Sequence, residues 1–191
     1  MAKQRLSKQD WLHAALDALA GGGVGAVAVE PLAHRLGVTR GSFYWHFADR
    51  NALLREALEW WELQGTDAVI EQVTAIGDPA QRLRTLLRIA IVEDPTSGLE
   101  PALVAHADDP AVAPVLQRVT ERRVAFLAEV YAELGHSAAQ ARYRAISAYS
   151  AYVGWMQLKR ATPTALPEIA GDPAALAHLV DHLVAGPAAE R

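Results

Sequence analysis

The sequence contains no cysteine, which excludes disulfides, thiolate metal sites and cysteine nucleophiles. It also lacks a long apolar run, because its most apolar early stretch, residues 18–29, is short and interrupted by four glycines. The residues at the N-terminus do not have the apolar centre of a signal peptide. These absences predict a cytoplasmic protein with no membrane partner.

Sequence motifs of common enzymes are missing as well. There is no Gly-x-Ser-x-Gly elbow, no glycine loop that would cradle a phosphate and no His-Glu-x-x-His pair. His178 and His182 are four residues apart, so both could face one metal ion with Asp181 nearby. Histidines at this spacing are also common on exposed helix faces. We therefore predict no enzymatic activity, no cofactor and no metal site, with a metal-dependent enzyme as the remaining alternative.

Charge is distributed unevenly along the chain. The net charge is −4, but residues 1–50 hold six Lys and Arg against four Asp and Glu, a net charge of +2. The remaining residues hold 12 basic against 18 acidic side chains, a net charge of −6. A positive end on an acidic body would direct one face of the protein toward phosphates.

Apolar residues recur at helical spacing almost throughout, which predicts an all-α fold of about nine helices. Breaks are expected at Gly77–Pro79, at Pro95 and Gly98, and in the loop that contains Pro163, Pro167 and Gly171. The predicted helices cover approximately residues 8–20, 29–36, 40–46, 50–76, 83–91, 100–107, 110–134, 138–161 and 176–184. We predict a three-helix domain at residues 1–48 and a helical bundle at residues 49–191.

Residues 29–47 have the layout of a helix-turn-helix. Leu32, Leu36, Val38 and Phe43 are spaced to close a small core between two short helices. Gly37 can adopt a positive φ at the turn. The small Ala33 suits a close helix crossing.

The second of these helices carries the residues that could read DNA. Thr39 is predicted to cap it, and this leaves the N–H groups of its first turn available to phosphates or base edges. Arg40 lies at its tip, where a bidentate bond to guanine is sterically possible. Gly41 would let the helix approach the duplex closely.

The run Gly37-Val38-Thr39-Arg40-Gly41-Ser42-Phe43-Tyr44-Trp45-His46-Phe47, followed by Asp49-Arg50-Asn51-Ala52-Leu53-Leu54, resembles the signature of the tetracycline-repressor (TetR) family. The resemblance implies that Thr39, Arg40, Gly41 and Ser42 lie at the floor of a major groove. It implies that Tyr44 and His46 bind phosphates with the help of Arg50, and that Trp45 packs on a sugar-phosphate edge or on a neighbouring helix. Phe43 and Phe47 would belong to the core.

Two positions depart from the family pattern. The family often has Thr or Ser where this chain has Ala28, and that side chain caps the first helix of the motif and touches a phosphate. Ala28 can do neither. Arg50 replaces the usual Lys. This keeps the positive charge but replaces a compact ammonium group with a planar guanidinium group that can donate two parallel hydrogen bonds.

The resemblance also implies a homodimer, formed through the last two helices as a four-helix bundle, and a cavity for a small-molecule effector of unknown identity. The predicted function is a transcriptional regulator, a repressor that a ligand releases from a palindromic operator in double-stranded DNA. The alternative is a helical ligand-binding or interaction protein without DNA binding. The candidate residues for the effector pocket are Trp60, Trp61, Ile89, Val92, His106, Phe126, Tyr149, Tyr152, Trp155 and Met156.

Overall fold

The structure, a computed structural model, describes residues 6–93, 99–166 and 173–185, and all regular secondary structure in these ranges is helical. This confirms the all-α prediction, whereas the predicted break at Pro95 and Gly98 and the positions of Pro167 and Gly171 lie outside the described residues. The α-helices are α1 (Lys8–Gly22), α2 (Val29–Arg35), α3 (Arg40–Phe43), α4 (Arg50–Glu62), α5 (Ala68–Thr74), α6 (Pro79–Arg88), α7 (Leu99–Ala105), α8 (Ala113–Glu133), α9 (Ala138–Ala161) and α10 (Pro173–Ala185).

Helices α4 and α5 are one continuous run of helix. A π-helical turn at Leu63–Asp67 joins them, so the backbone is helical from Arg50 to Thr74. Counting this run once gives the predicted nine helices over the described ranges. Gly65 lies inside the turn, at the position where helix propensity is lowest. A second π-helical turn, Ile89–Glu93, follows α6.

Three predicted capping residues, Ser7, Asp49 and Ser137, cap their helices. The Ser7 hydroxyl accepts a bond from the Asp10 amide, and the Asp10 carboxylate accepts one from the Ser7 amide at 2.7 Å. The Ser7 hydroxyl also donates to the Asp10 carboxylate at 2.8 Å, and this bond together with the one from the Ser7 amide lowers the pKa of the Asp10 carboxyl group. The Asp49 carboxylate caps α4 by accepting from the Ala52 amide at 2.8 Å, and Ser137 starts α9 with a second capping box.

Several predicted helix boundaries are wrong by three or four residues: α6 begins at Pro79 and α10 at Pro173, whereas residues 83 and 176 were predicted, and α3 and α8 differ as well. Helix α8 begins at Ala113 and not at Pro110, because the Asp109 side chain accepts a hydrogen bond from the Ala111 amide and holds this segment in a turn. Helix α3 ends at Phe43, and residues 44–46 continue as a turn in which the His46 amide still donates to the Phe43 carbonyl.

The described residues form two compact units. One consists of Met1–Leu63 with Leu99–Gln117, and its core contains Trp11, Leu19, Leu58 and Trp61. The other consists of Gln64–Gly98 with Arg118–Arg191. Its core comes mainly from α5, α6, α8 and α9, with Val180 and Val184 from α10. The predicted DNA-binding domain at residues 1–48 is a functional division and stays a prediction.

No helix in the described ranges combines the length and the apolar character that a membrane span requires.

Candidate nucleic-acid interface and ligand cavity

Helices α2 and α3 are held together by a small apolar core. Leu32 and Phe43 are fully buried, Ala33 and Phe47 are nearly so, and the Trp11 ring meets the Phe43 ring edge to face with centroids 5.4 Å apart. Phe43 therefore fixes the rotation of α3 about its axis, because its side chain must point inward. The predicted core partners Leu36 and Val38 are only half-buried.

The turn between α2 and α3 has the predicted geometry. Gly37 adopts φ +67°, a conformation that other residues rarely take. The amide of Val38 then donates to the carbonyl of Ala33 at 3.0 Å, and this bond reverses the chain at the end of α2. The turn brings Thr39 to the N-cap position of α3.

The Thr39 hydroxyl makes no capping bond, which corrects the prediction made for it. The amide that it would accept from belongs to Ser42, and that amide donates to the Thr39 carbonyl at 2.9 Å. Thr39 is exposed. The hydroxyl is thus available for a ligand.

Side chains on the outer surface of α3 and the following turn are exposed. Arg40 is exposed, Tyr44 is 52% exposed and Trp45 is 83% exposed. The Arg40 Nη2 donates to the Tyr44 hydroxyl at 3.2 Å, and this bond raises the pKa of the Arg40 guanidinium. An exposure of 83% does not fit packing of Trp45 on a neighbouring helix, and its contact with DNA stays a prediction.

The other predicted residues of this surface differ in exposure. Gly41 is exposed, whereas Ser42 and His46 are half-buried. A Cβ added at Gly41 would meet only the Thr39 hydroxyl, at 3.7 Å. The protein itself thus has room for a side chain at Gly41.

Arg50, also predicted to bind phosphate, makes hydrogen bonds within the protein. Its Nε donates to the Val27 carbonyl at 2.6 Å, and its Nη2 donates to the Val24 carbonyl. Both carbonyls belong to the short turn that precedes α2. Phosphate binding by Arg50 stays a prediction.

A cavity of about 70 Å³ lies within the second unit. Helix α5, helix α6, helix α8 and helix α9 contribute to its wall, and so do both π-helical turns. Its lining is mostly apolar, with Arg123, Thr66 and two tyrosines as the polar members. The lining residues are Gly65, Thr66, Val69, Ile70, Leu86, Leu87, Ile89, Ala90, Arg123, Phe126, Leu127, Ala148, Tyr149 and Tyr152.

The structure brings four of the ten predicted pocket residues to this cavity, namely Ile89, Phe126, Tyr149 and Tyr152. Val92, Trp155 and Met156 belong to the same unit but do not line the cavity. Trp60, Trp61 and His106 lie in the first unit, where Trp61 is fully buried and His106 packs beside Gly23. As effector contacts these six residues remain predictions.

Arg123 is the polar residue of the cavity that the sequence interpretation missed. It lies on α8 between the apolar positions Val119 and Phe126, and a single charge within an apolar stripe was the available signal. Its Nε donates to the buried Thr66 hydroxyl at 3.0 Å, and its Nη2 donates to the Gly65 carbonyl at 3.0 Å.

The described residues contain no cluster of three metal ligands. His178 and His182 are exposed on α10, and Asp181 forms an ion pair with Arg84 at 3.1 Å.

Helix α9 presents two different faces. Ala141, Ala145, Ala148 and Met156 are buried. The side of the helix opposite to them, which we call the open face of α9, is exposed and consists mainly of small and apolar residues, with the polar Gln157 among them. The open face contains Tyr143, Ile146, Ser147, Ser150, Gly154 and Leu158.

Comparison with known proteins supports the interpretation of the N-terminal residues. Residues 12–57 match the family model described as bacterial regulatory proteins, tetR family. The HTH-type transcriptional regulator AcrR of Shigella flexneri is 35% identical over 82 residues, which are 42% of this chain. The chain spans only 38% of the length of that curated relative.

Solved structures of similar fold cover almost the whole chain. A TetR transcriptional regulator from Legionella pneumophila superposes with a TM-score of 0.74 at 15% identity, covering 97% of this chain and 98% of its own. AibR, solved in complex with isovaleryl coenzyme A and operator DNA, has a TM-score of 0.70 at 18% identity, covering 93% and 97%. At such identities the likeness shows the fold alone. Residues 12–57 therefore match the tetR family of bacterial regulatory proteins, and the solved structures show that the chain as a whole has the fold of such regulators.

Proposed function

We propose that this protein is a DNA-binding transcriptional regulator, a repressor that leaves its operator when a small molecule occupies the cavity. The observation that carries the proposal is the exposed surface of α3 and the following turn. Arg40, Tyr44 and Trp45 point outward while Phe43 is fully buried beneath them. A cationic and aromatic surface over a fixed core suits insertion into a major groove.

Operator recognition requires two copies of the chain, because one short reading helix buries too little surface for specific binding at physiological salt. We propose that the open face of α9 packs against its symmetry mate, with α10 completing a four-helix bundle. Small side chains such as Ser150 and Gly154 would let the two helices approach closely. Twofold symmetry then predicts a palindromic operator whose half-sites lie about 34–36 Å apart.

The proposed regulation is a shift between two populations of the dimer. Gly65 and Thr66 of the cavity wall belong to the continuous run of helix that begins at Arg50. A ligand that favours another geometry of this run would favour another separation of the two α3 helices, and operator affinity would fall. AibR, for comparison, was solved with both an acyl coenzyme A and operator DNA.

Selection of binding sites from randomised duplex DNA tests the proposal. We expect enrichment of one palindrome, bound with an affinity that falls steeply with salt concentration because phosphates are neutralised. Recovery of no preferred sequence, together with weak binding at every salt concentration, would favour the alternative of a helical interaction protein without DNA binding.

Replacing Gly41 with Ala separates the fit to DNA from the stability of the fold. Since the protein offers open space at this position, the substitution should leave the free energy of unfolding unchanged or raise it by about 0.5–1 kcal/mol. A methyl group on the groove-facing surface should nevertheless weaken operator binding by roughly tenfold or more. Urea unfolding and fluorescence anisotropy with labelled operator measure the two effects.

Gly21→Ala is the matched control for this substitution. Gly21 is also helical and exposed, and an added Cβ meets nothing within 4 Å. It should stabilise the fold by a similar amount without affecting DNA affinity. Equal affinities of Gly41→Ala and the parent protein would show that α3 does not approach the duplex at Gly41.

A further inference from the structure

The cavity of the second unit is small and mostly apolar. Phe126, Leu127 and Ala148 are nearly fully buried, and the rings of Tyr149 and Tyr152 stack with centroids 6.1 Å apart. A cavity of about 70 Å³ has room for about five water molecules, roughly the space that a single ring or a short carbon chain occupies. The size of the apolar part of a ligand is limited accordingly.

The cavity offers little to a charged ligand. The Arg123 guanidinium is engaged by the Thr66 hydroxyl and the Gly65 carbonyl, and it lies 5.9 Å from the centre of the Tyr152 ring. Thr66 is itself only 2% exposed. A carboxylate that entered this mostly apolar site would lose its hydration, which is costly, and Arg123 already donates to protein oxygens there. The Tyr149 hydroxyl, 3.4 Å from the Thr120 hydroxyl, can make a weak polar contact with a ligand.

The local helix geometry also marks this site. The wall includes Gly65 and Thr66 from one π-helical turn and Ile89 and Ala90 from the other. Such turns within α-helices occur frequently at functional sites. We infer that the effector is a compact, uncharged, predominantly apolar molecule of about one ring in size. This inference rests on the proposed effector role of the cavity.

Calorimetric titration with three probes of equal ring size tests this inference. We expect benzyl alcohol to bind at least about tenfold more tightly than benzoate or benzylammonium, since a charged probe gives up far more hydration than a hydroxyl when it enters a mostly apolar cavity. Ala90→Leu, which fills the cavity from a half-buried wall position, should abolish the binding of benzyl alcohol. Tyr152→Phe, which keeps the ring, should retain it.

The outcomes separate the ligand class from the proposed function. Tighter binding of benzoate, or no binding of benzyl alcohol, would overturn the inference, and so would full binding by a folded Ala90→Leu protein. Titrations are done without DNA, whereas operator selection is done without ligand. Failure of the ligand inference therefore leaves DNA binding intact, and failure of DNA binding leaves the titrations interpretable.

A second inference concerns Arg50 and is independent of the cavity. Ala28 is the N-cap residue of helix α2, and its methyl side chain provides no capping bond. The turn shortly before it, Val24–Ala26, is held by Arg50, because the guanidinium bonds the carbonyl of its first residue, Val24, and the carbonyl of Val27, which follows it. A lysine has a single nitrogen and cannot bridge these carbonyls in the same planar geometry.

The two departures from the family pattern are therefore linked. We propose that Arg50 is a positioning residue, which orders the entry to α2 because Ala28 cannot cap it. Arg50 would then affect DNA binding only by holding the helix-turn-helix in place. The expected effect on DNA binding rests on the proposed function. If Arg50 instead bound a phosphate directly, a lysine at position 50 would preserve part of that contact.

Hydrogen exchange and DNA binding together test the role of Arg50. In Arg50→Lys we expect the amides of Ala28 and Leu32 to exchange at least about tenfold faster, since local opening is easier. Operator affinity should fall by roughly tenfold with no change in its salt dependence. Adding Ala28→Thr, which restores a cap, should recover most of both losses. Arg55→Lys, an exposed change on α4, should alter neither.

A direct phosphate role predicts different results. Arg50→Lys would then keep the affinity and the exchange rates of the parent protein. Arg50→Gln would lower the slope of log affinity against log salt by about 0.9 for each Arg50 in the complex. Either result, or the absence of recovery by Ala28→Thr, would overturn the positioning role. The exchange measurement needs no DNA, so it remains informative if the protein does not bind an operator.

Discussion

Replacing Arg40 with Ala should lower the affinity for the selected operator by about 10²- to 10⁴-fold. The guanidinium is exposed at the start of α3, and loss of a bidentate contact to guanine costs about 1–3 kcal/mol in each of two half-sites. Affinity for unrelated DNA should fall far less, since binding that is independent of sequence depends on the number of phosphate contacts. Anisotropy titrations with operator and with scrambled duplex measure both quantities.

The hydrogen bond between Arg40 and Tyr44 refines this prediction. Tyr44→Phe removes the acceptor that holds the Arg40 side chain, along with a predicted phosphate contact. It should weaken binding to all sequences similarly, whereas Arg40→Ala should relax the sequence preference. Arg55→Ala removes the same charge from an exposed site on α4 and should do neither. An equal loss on operator and scrambled DNA for Arg40→Ala would show that Arg40 reads no base.

Placing an arginine at Ile146 should dissociate the proposed dimer and lower operator affinity by about 10²- to 10⁴-fold, the usual gain from joining two binding modules. Ile146 is 42% exposed on the open face of α9, among small and apolar neighbours. Two charges brought together in an apolar four-helix interface would be buried without partners. Sedimentation equilibrium across a range of concentrations measures the change in association.

Val104→Arg is the matched control for Ile146→Arg. Val104 is 41% exposed and is also aliphatic, but it lies on α7 in the first unit. The change should leave both association and operator affinity as they are. A variant Ile146→Arg that remains dimeric and binds operator normally would place the dimer interface elsewhere.

The helix-turn-helix could be predicted in detail because it depends on contacts between residues close in sequence. Gly37 at the turn and Phe43 in the core follow from spacing alone, and both predictions are confirmed. The Thr39 cap was wrong because the choice between a hydroxyl and a carbonyl acceptor for one amide is not visible in sequence. The same holds for the start of α8, where Asp109 favours a turn.

The cavity and the bonds of Arg50 could not be predicted because they depend on distant residues. Arg123 bonds Thr66 across 57 positions, and Arg50 bonds Val27 across 23. Aromatic residues in helical stripes indicate burial but do not distinguish a cavity wall from solid core. Trp61, for example, is fully buried in the other unit and not at the cavity.

The shortness of α3 has a consequence for how such a protein changes its target. Its fold depends on the inward Phe43, while Thr39, Arg40 and Trp45 lie on the outside and take no part in the core. Substitutions at these exposed positions should therefore have little effect on the stability of the fold. Evolution, or a laboratory library, could therefore vary the side chains at these exposed positions, and with them the DNA sequence that is bound, while every intermediate protein remains folded.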